Sequence, residues 1–283
     1  MKKTLTILVV ALLALGATSC KKQLDDLGTF AEGIYQPGFH ISAVHQGSTP
    51  VQTWSWGTTK LSSINHLQDG ANYTFSYTGD QLGSVTISQP GQQVQRINFT
   101  YGGSLLTKVD IVNGTRTDIS MVINHDANDH IATANLEFSD RFLIDLAYGM
   151  LTASKSLARL VGDDNAKAIA SVAKAMSKYN ITNKTFNLTY TWTGDNVTST
   201  ILSGNVTASA TLSDISEVID LGALGNILNY IDQGTEMPIS CTVNRTTTCT
   251  YDEMNNPLYC LYADGITEQN LSKNNLLSAI TTG

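Results

Sequence analysis

A pattern of two aromatic residues, a glycine turn and three aliphatic residues occurs twice in close succession. The first copy runs from Phe75 to Ile87, and the second begins 24 residues later and runs from Phe99 to Ile111. Aromatic residues alternate with Ser and Thr at the start of each copy, as in a β-strand with one buried face. The Gly79-Asp80 and Gly102-Gly103 pairs that follow tolerate the positive φ angles of tight hairpin turns. The pattern therefore predicts a β-hairpin that is repeated along the chain.

Further copies of this hairpin pattern extend over most of the sequence. The close copies are Trp54 to Ile64 and Tyr190 to Leu202, and the looser ones are Ile123 to Leu136, Cys249 to Leu261, Leu271 to Ala279 and a truncated copy at Tyr35 to Val44. A single hairpin is marginal in water, so the copies must pair side by side. The sequence thus predicts a mainly β protein: a large antiparallel meander forming a curved sheet or a half-open barrel, with one wet face.

The spacing of the aliphatic residues predicts an irregularity in each good copy. Leu82 and Val85 are three residues apart, so a regular strand would place them on opposite faces of the sheet. A β-bulge between them would return both to the buried face. We expect such a bulge after each glycine turn.

Residues 140–178 interrupt the β pattern. Apolar residues recur at near-helical spacing from Asp140 to Val161 and again from Asn165 to Lys178, with Ser139 as a plausible N-cap. We expect these two amphipathic helices to cover the apolar face of the sheet. A capping-box pattern predicts a third, shorter helix at about 214–231.

The first twenty residues have the pattern of a bacterial export signal. A basic start precedes the apolar stretch Leu5 to Leu15, and Ala17-Thr18-Ser19-Cys20 resembles a lipobox. This predicts a signal peptide at 1–19, a lipidated Cys20 followed by a tether to residue 32, and one β-rich domain with a helical insertion at 33–283. We expect the protein to bind a membrane through the lipid anchor at Cys20. The alternative is an ordinary secretory signal with a chance cysteine.

Charge excludes some partners. The chain has 24 acidic and 17 basic residues, a net charge of −7. Such a balance argues against nucleic acid as a partner and against electrostatic binding to anionic membranes.

Three further cysteines follow the lipobox. A hairpin turn at Asn255-Asn256 would place Cys249 opposite Cys260, within reach of a disulfide. The alternative is that Cys241, Cys249 and Cys260 are buried free thiols. Their spacing is not that of a zinc site, and we expect no metal and no cofactor.

His125, Asp126, Asp129 and His130 form the densest polar cluster in the sequence. These residues could ligate a metal, but Asp and the neighbouring Asn residues are also typical of hairpin turns. Because the repeat places a turn here, we expect a turn rather than a metal site.

No catalytic residues are predicted. Trp54, Trp56 and Trp192 could form a sugar-stacking platform, but they occupy core-facing positions of the repeat and are expected to pack inside. Gly102-Gly103-Ser104 lacks the frame of a nucleophile elbow, and Gly79 to Gly83 lacks the lysine of a phosphate loop.

The lipobox at Cys20, Tyr35-Gln-Pro37, Trp54 to Ile64 and the later aromatic hairpins resemble a family of Bacteroides-type lipoproteins of unknown function. The hairpins also resemble the Tyr-Asp repeats of shell-forming toxins, as at Thr250-Tyr251-Asp252. The lipoprotein resemblance implies a porin-like β fold and an outer-membrane location, at the periplasmic face or the cell surface. It supplies no catalytic residues.

Because the strands read as about 6–8 residues, shorter than a spanning strand, and helices interrupt them, we expect a curved sheet rather than a pore. The first functional hypothesis is a non-enzymatic binding or scaffold module with a protein or glycan partner. The alternatives are a carrier of an apolar ligand in a half-open barrel plugged by helices, and a hydrolase. A hollow space under the helices would favour the carrier, and a filled core would favour the scaffold.

Overall fold

A computed structural model describes residues 40–176, 180–211, 236–262 and 266–283. It confirms a mainly β fold with one antiparallel meander, in which thirteen strands pair in sequence order and no ladder joins the first described strand to the last. The strands are β1 (Ala43–Gln46), β2 (Thr49–Trp56), β3 (Leu61–His66), β4 (Asn72–Thr78), β5 (Gln81–Ser88), β6 (Gln95–Gly102), β7 (Leu105–Asn113), β8 (Arg116–His125), β9 (Ile131–Phe138), β10 (Asn180–Thr193), β11 (Asn196–Thr211), β12 (Glu236–Asn255) and β13 (Asn274–Thr282). Within the described residues the helices are α1 (Asp140–Ala147), α2 (Leu151–Val161), α3 (Asp163–Met176) and α4 (Glu268–Leu271).

The strand lengths depart from expectation in the second half of the sheet. Strands β2 to β9 are close to the predicted length, whereas β10, β11 and β12 have 14, 16 and 20 residues. The repeat pattern includes only the half of each of these strands that is next to the turn. It therefore did not predict that the strands continue beyond that half.

The predicted bulges are present. Tyr77 lies opposite Leu82 and Ser76 lies opposite Ser84, which leaves Gly83 as the extra residue. Ser62, Thr107 and Thr198 are the equivalent extra residues in three other hairpins. As a result, both Leu82 and Val85 are buried.

Glycines open the tight turns of the repeat. Gly79, Gly103 and Gly194 have φ angles of +58°, +69° and +57°, each at the first of two turn residues, as in type II′ hairpins. The turn predicted at Asn255-Asn256 is not formed, because β12 pairs with β13 and not with residues just after that turn. Residues 256–262 and 266–273 instead belong to a long connection, and we call these two described segments the cap.

The second aromatic position of the repeat joins neighbouring hairpins. Its side chain contacts a main-chain carbonyl at the start of the second strand of the preceding hairpin, or upstream of β1 for the first copy. The contacts are Trp56 Nε1 to Ile41 O (2.7 Å), Tyr77 OH to Leu61 O (3.0 Å), His125 Nε2 to Leu106 O (2.8 Å), Trp192 Nε1 to Ile131 O (2.8 Å) and Tyr251 OH to Val197 O (2.6 Å). This ladder of contacts runs across the sheet along the ends of the strands.

The helical insertion differs from prediction in one respect. The single helix predicted from Asp140 to Val161 is divided into α1 and α2, because Gly149 adopts a φ of +70°, which no helix can contain. Ser139 caps α1 as predicted: its hydroxyl accepts a hydrogen bond from the Phe142 N–H at 3.2 Å. The helix predicted at about 214–231 lies outside the described residues.

The sheet must curve around these helices. Helix α2 reaches β4, where Arg159 donates to Tyr73 OH at 2.9 Å, and α3, packed beside α2, contacts β11 and β12. Strands β4 and β12 are eight positions apart, about 38 Å in a flat sheet, whereas packed helices lie about 8–10 Å apart. Only a strongly curved sheet brings both strands to one helix pair.

The concave face is filled rather than hollow in the described part of the chain. Phe142, Leu157 and Ile169 from the three helices belong to one apolar cluster with the inward side chains of β2 to β12. Leu261 and Tyr262 of the cap belong to the same cluster. Burying each such large side chain contributes roughly 1.5–3 kcal/mol, so helices and cap are integral to the core. None of the described helices is both long and apolar enough to cross a membrane.

Candidate functional site

The turns of the repeated hairpins meet at one end of the sheet, since alternate connections of a meander lie at the same end. Lys60 Nζ lies 2.9 Å from Asp80 Oδ1, and Lys273 Nζ lies 3.0 Å from Asp195 Oδ2. Gln81 Nε2 donates to the Gly103 carbonyl at 2.7 Å. These contacts join three pairs of neighbouring connections at the turn end.

A pocket of about 50 Å³ opens at this turn end. It lies between the β6–β7, β8–β9 and β10–β11 hairpins and the cap. Its lining includes His125, Asp129, His130, Trp192, Asp195 and Tyr259. The structure thus brings three residues of the predicted polar cluster together with side chains from 60 to 130 positions further along the chain.

The β8–β9 connection forms a turn, as predicted. Asp126 Oδ1 accepts hydrogen bonds from the N–H groups of Asn128 at 2.8 Å and His130 at 3.0 Å, and Asp129 has a φ of +65°. Asp126 therefore shapes the turn, while Asp129 and His130 reach the pocket. Within the described ranges, no three His, Cys, Asp or Glu side chains are arranged so that they could hold a metal ion.

His125 is held by the main chain on both sides of its ring. Nδ1 lies 2.7 Å from the Asp129 carbonyl oxygen and Nε2 lies 2.8 Å from the Leu106 carbonyl oxygen. With both ring nitrogens occupied by carbonyl groups, His125 is arranged to position the turn rather than to act as a base.

Trp192 is the aromatic wall of the pocket. The His130 ring stacks on it with a centroid distance of 4.4 Å and an interplanar angle of 15°, and its Nε1 hydrogen bond fixes the indole. Trp54 is buried and Trp56 half-buried on β2, where their rings are 6.4 Å apart. The three tryptophans therefore form no common platform, and Trp54 packs in the core as expected.

The cap closes the pocket from the side of the core. The Cys260 N–H donates to the Asn270 carbonyl at 2.9 Å, and the Ile266 N–H donates to the Arg159 carbonyl on α2 at 3.2 Å. Tyr190 OH donates to the Ile266 carbonyl at 3.4 Å. These contacts hold Tyr259 at the pocket, a role that no local sequence signal indicated.

The register predicted for the cysteines is wrong. Cys249 lies opposite Ala279 on β13, and Cys260 lies in the cap with a φ of +61°. Within the described residues Cys241, Cys249 and Cys260 form no disulfide with one another, and the latter two are buried. Burial raises the pKa of the Cys249 thiol to about 11, which keeps it protonated and unreactive at neutral pH. The cap explains why the predicted register is wrong: Cys260 lies in the cap and not in β13, the strand that pairs with β12.

Comparison with known families found no family model that matches the chain, and comparison with curated proteins found no match.

Proposed function

We propose that this protein is an exported lipoprotein, anchored to the outer membrane through Cys20, whose β domain is a non-enzymatic binding module. Its binding site is the pocket at the turn end. The observation that carries this proposal is the combination of a filled core with a pocket braced by the main chain. A cleft where a few polar and aromatic groups converge is the default candidate for a ligand site, and at about 50 Å³ this one admits only a small group.

The filled core argues against the carrier of an apolar ligand. A carrier needs a dry cavity of a few hundred Å³ next to the helices, where Leu157, Ile169 and Val172 instead pack with the sheet. The pocket is smaller and lies at the turn end, with charged and aromatic groups in its lining.

The side-chain geometry does not favour the hydrolase. A nucleophilic mechanism needs a base with a ring nitrogen free to accept the proton of the nucleophile. His125 has carbonyl oxygens at both ring nitrogens, so neither is free to accept a proton from a nucleophile. His130 Nδ1 lies 3.8 Å from Asp126 Oδ2, and within the described residues no hydroxyl or thiol group hydrogen-bonds to the His130 ring.

The lipid anchor is tested with the full chain expressed in a bacterial host that receives a clickable fatty acid. We expect the protein to carry the label and to sediment with membranes, and Cys20→Ala to lose both properties. Cys241→Ala is the matched control and should keep both. Labelling that survives in Cys20→Ala, or a wild-type protein without label, would contradict the anchor.

A further inference from the structure

The pocket at the turn end presents hydrogen-bond acceptors and donors at close quarters. Its lining residues include Asp129 and Asp195, whose carboxylates are acceptors, and Ser104 and Tyr259, whose hydroxyl groups both donate and accept. Lys273 Nζ lies 3.0 Å from Asp195 Oδ2 and adds a donor at the rim. A ligand that matches this set carries several groups that donate and accept at once.

The charges at the pocket favour a neutral ligand. Asp129 and Asp195 oppose a free anion, and no lysine or arginine is part of the described lining. The ion pair between Lys273 and Asp195 offsets one of the two carboxylates, so an organic cation would meet a repelling ammonium group at the rim. A polar but uncharged molecule avoids both costs.

Aromatic carbon supplies the remaining surface. Trp192 is half-buried, stacked by His130 and fixed by its Nε1 hydrogen bond, so its indole loses little entropy when a ligand binds. Tyr259 adds a second ring from the cap. Flat aromatic surfaces of this kind suit ligands that have an apolar face as well as polar edges.

The size of the pocket limits what enters it. One water needs roughly 10–15 Å³ of such volume, so about 50 Å³ takes the equivalent of three to five waters. One side of a single sugar ring has this size, whereas an oligosaccharide or a peptide segment would have to remain outside. The ligand therefore inserts a terminal group.

We propose that the pocket binds one neutral pyranose, the terminal residue of a glycan. The sugar hydroxyls hydrogen-bond to Asp129 and Asp195, and the apolar carbon of the ring contacts Trp192 and Tyr259. This inference rests on the proposed function, because it names the ligand class of the same pocket.

The experiment uses the full chain labelled with 5-fluorotryptophan and followed by fluorine NMR. The three tryptophans then report separately, and Trp192→Phe assigns the pocket signal. Titration with glucose, galactose, mannose and N-acetylglucosamine should move the Trp192 signal saturably for at least one sugar. The signals of Trp54 and Trp56, which lie on β2, should stay in place.

Matched variants test whether sugar binding depends on the pocket or on the turn end as a whole. Asp195→Asn should weaken sugar binding about tenfold, since a neutral amide oxygen accepts a weaker hydrogen bond from a sugar hydroxyl than a carboxylate does. Asp80→Asn is the control, because Asp80 holds the same turn position and a similar ion pair with Lys60 outside the pocket. Asp129→Asn should also weaken binding, and it tests the proposal if Asp195→Asn fails to fold, since Asn tolerates a positive φ.

The outcomes distinguish the two proposals. If tetramethylammonium or acetate moves the Trp192 signal while the sugars do not, the sugar assignment is wrong but the binding site stands. If no probe moves it, the pocket is not a binding site and the proposed function fails with it. A sugar response that Asp195→Asn and Asp129→Asn both retain would also overturn the assignment.

Discussion

At the scale of single residues, the second aromatic position of the repeat shows why its side chain is not simply apolar. Tyr77, Trp192 and Tyr251 each combine a half-buried ring with an O–H or N–H at its far end, and that group reaches a carbonyl of the hairpin before it. Tyr101 holds the same position, but its hydroxyl is buried without a hydrogen-bond partner in the described structure. The two tyrosines form a natural pair for measuring the contact.

We expect Tyr77→Phe to lower the free energy of unfolding by about 1 kcal/mol, because the Leu61 carbonyl loses its donor while the ring stays in place. Tyr101→Phe should leave the free energy unchanged or raise it slightly, because that hydroxyl makes no hydrogen bond. Urea denaturation followed by circular dichroism measures both. Equal losses in the two variants would show that the hydrogen bond is not what stabilises the ladder.

At the scale of elements, each hairpin carries its own bulge, and a side chain of the bulge often closes it. The hydroxyl groups of Ser62, Thr107 and Thr198 donate to the carbonyl seven residues earlier, at 2.8, 3.1 and 3.3 Å. Gly83 is the equivalent residue in the β4–β5 hairpin and has no such group. The contacts that shape each bulge thus lie within one hairpin. The break between α1 and α2, by contrast, depends on one backbone position.

That position is Gly149, between α1 and α2. We expect Gly149→Ala to lower the free energy of unfolding by roughly 1 kcal/mol, because its φ of +70° strains any residue with a Cβ although the space around it is open. A continuous helix from Asp140 to Val161 would give the opposite sign, since Ala is favoured over Gly inside a helix by about the same amount. Thermal and urea unfolding of this variant therefore decide between the two arrangements.

At the scale of the whole molecule, one core joins sheet, helices and cap, and it encloses several titratable groups in their neutral forms. Burial raises the pKa of Tyr77 to about 12 and raises those of Tyr190, Tyr251 and Tyr262 above their ordinary value. The pKa of the Cys249 thiol is raised for the same reason. Each of these groups therefore loses its proton at a higher pH in the folded protein than in the unfolded chain.

The free energy of unfolding should therefore be nearly constant up to about pH 9 and fall steeply between pH 10 and 12. The sign follows from linkage: in that window the unfolded chain gives up these protons and the folded one retains them, so rising pH favours unfolding. Urea titrations at a series of pH values measure this slope. In Tyr77→Phe the slope should be smaller by one titrating group, and stability that is flat to pH 12 would contradict the burial of the tyrosines.

The amino-acid sequence by itself determined the hairpins. Alternation, turn glycines and the three-residue step from Leu82 to Val85 are local properties, and each acts within about a dozen residues. These properties specified the hairpins from β2 to β11 with their turns and bulges, and the periodicity of 140–178 specified an amphipathic helical insertion. They were wrong for the copies at Cys249 to Leu261 and Leu271 to Ala279, where β12 pairs with the single strand β13. Export and lipidation at Cys20 stay predictions from the sequence alone.

Only the tertiary structure decided the cap, the pocket and the cysteine register. His125, Trp192 and Tyr259 lie far apart in the chain, and their meeting depends on the curvature of the sheet and on the folding of the cap onto α2. The apparent turn at Asn255-Asn256 was a false local signal, because packing of Leu261 and Tyr262 into the core outweighs a two-residue hairpin there. Long-range burial sets these features, and no short sequence pattern carries that information.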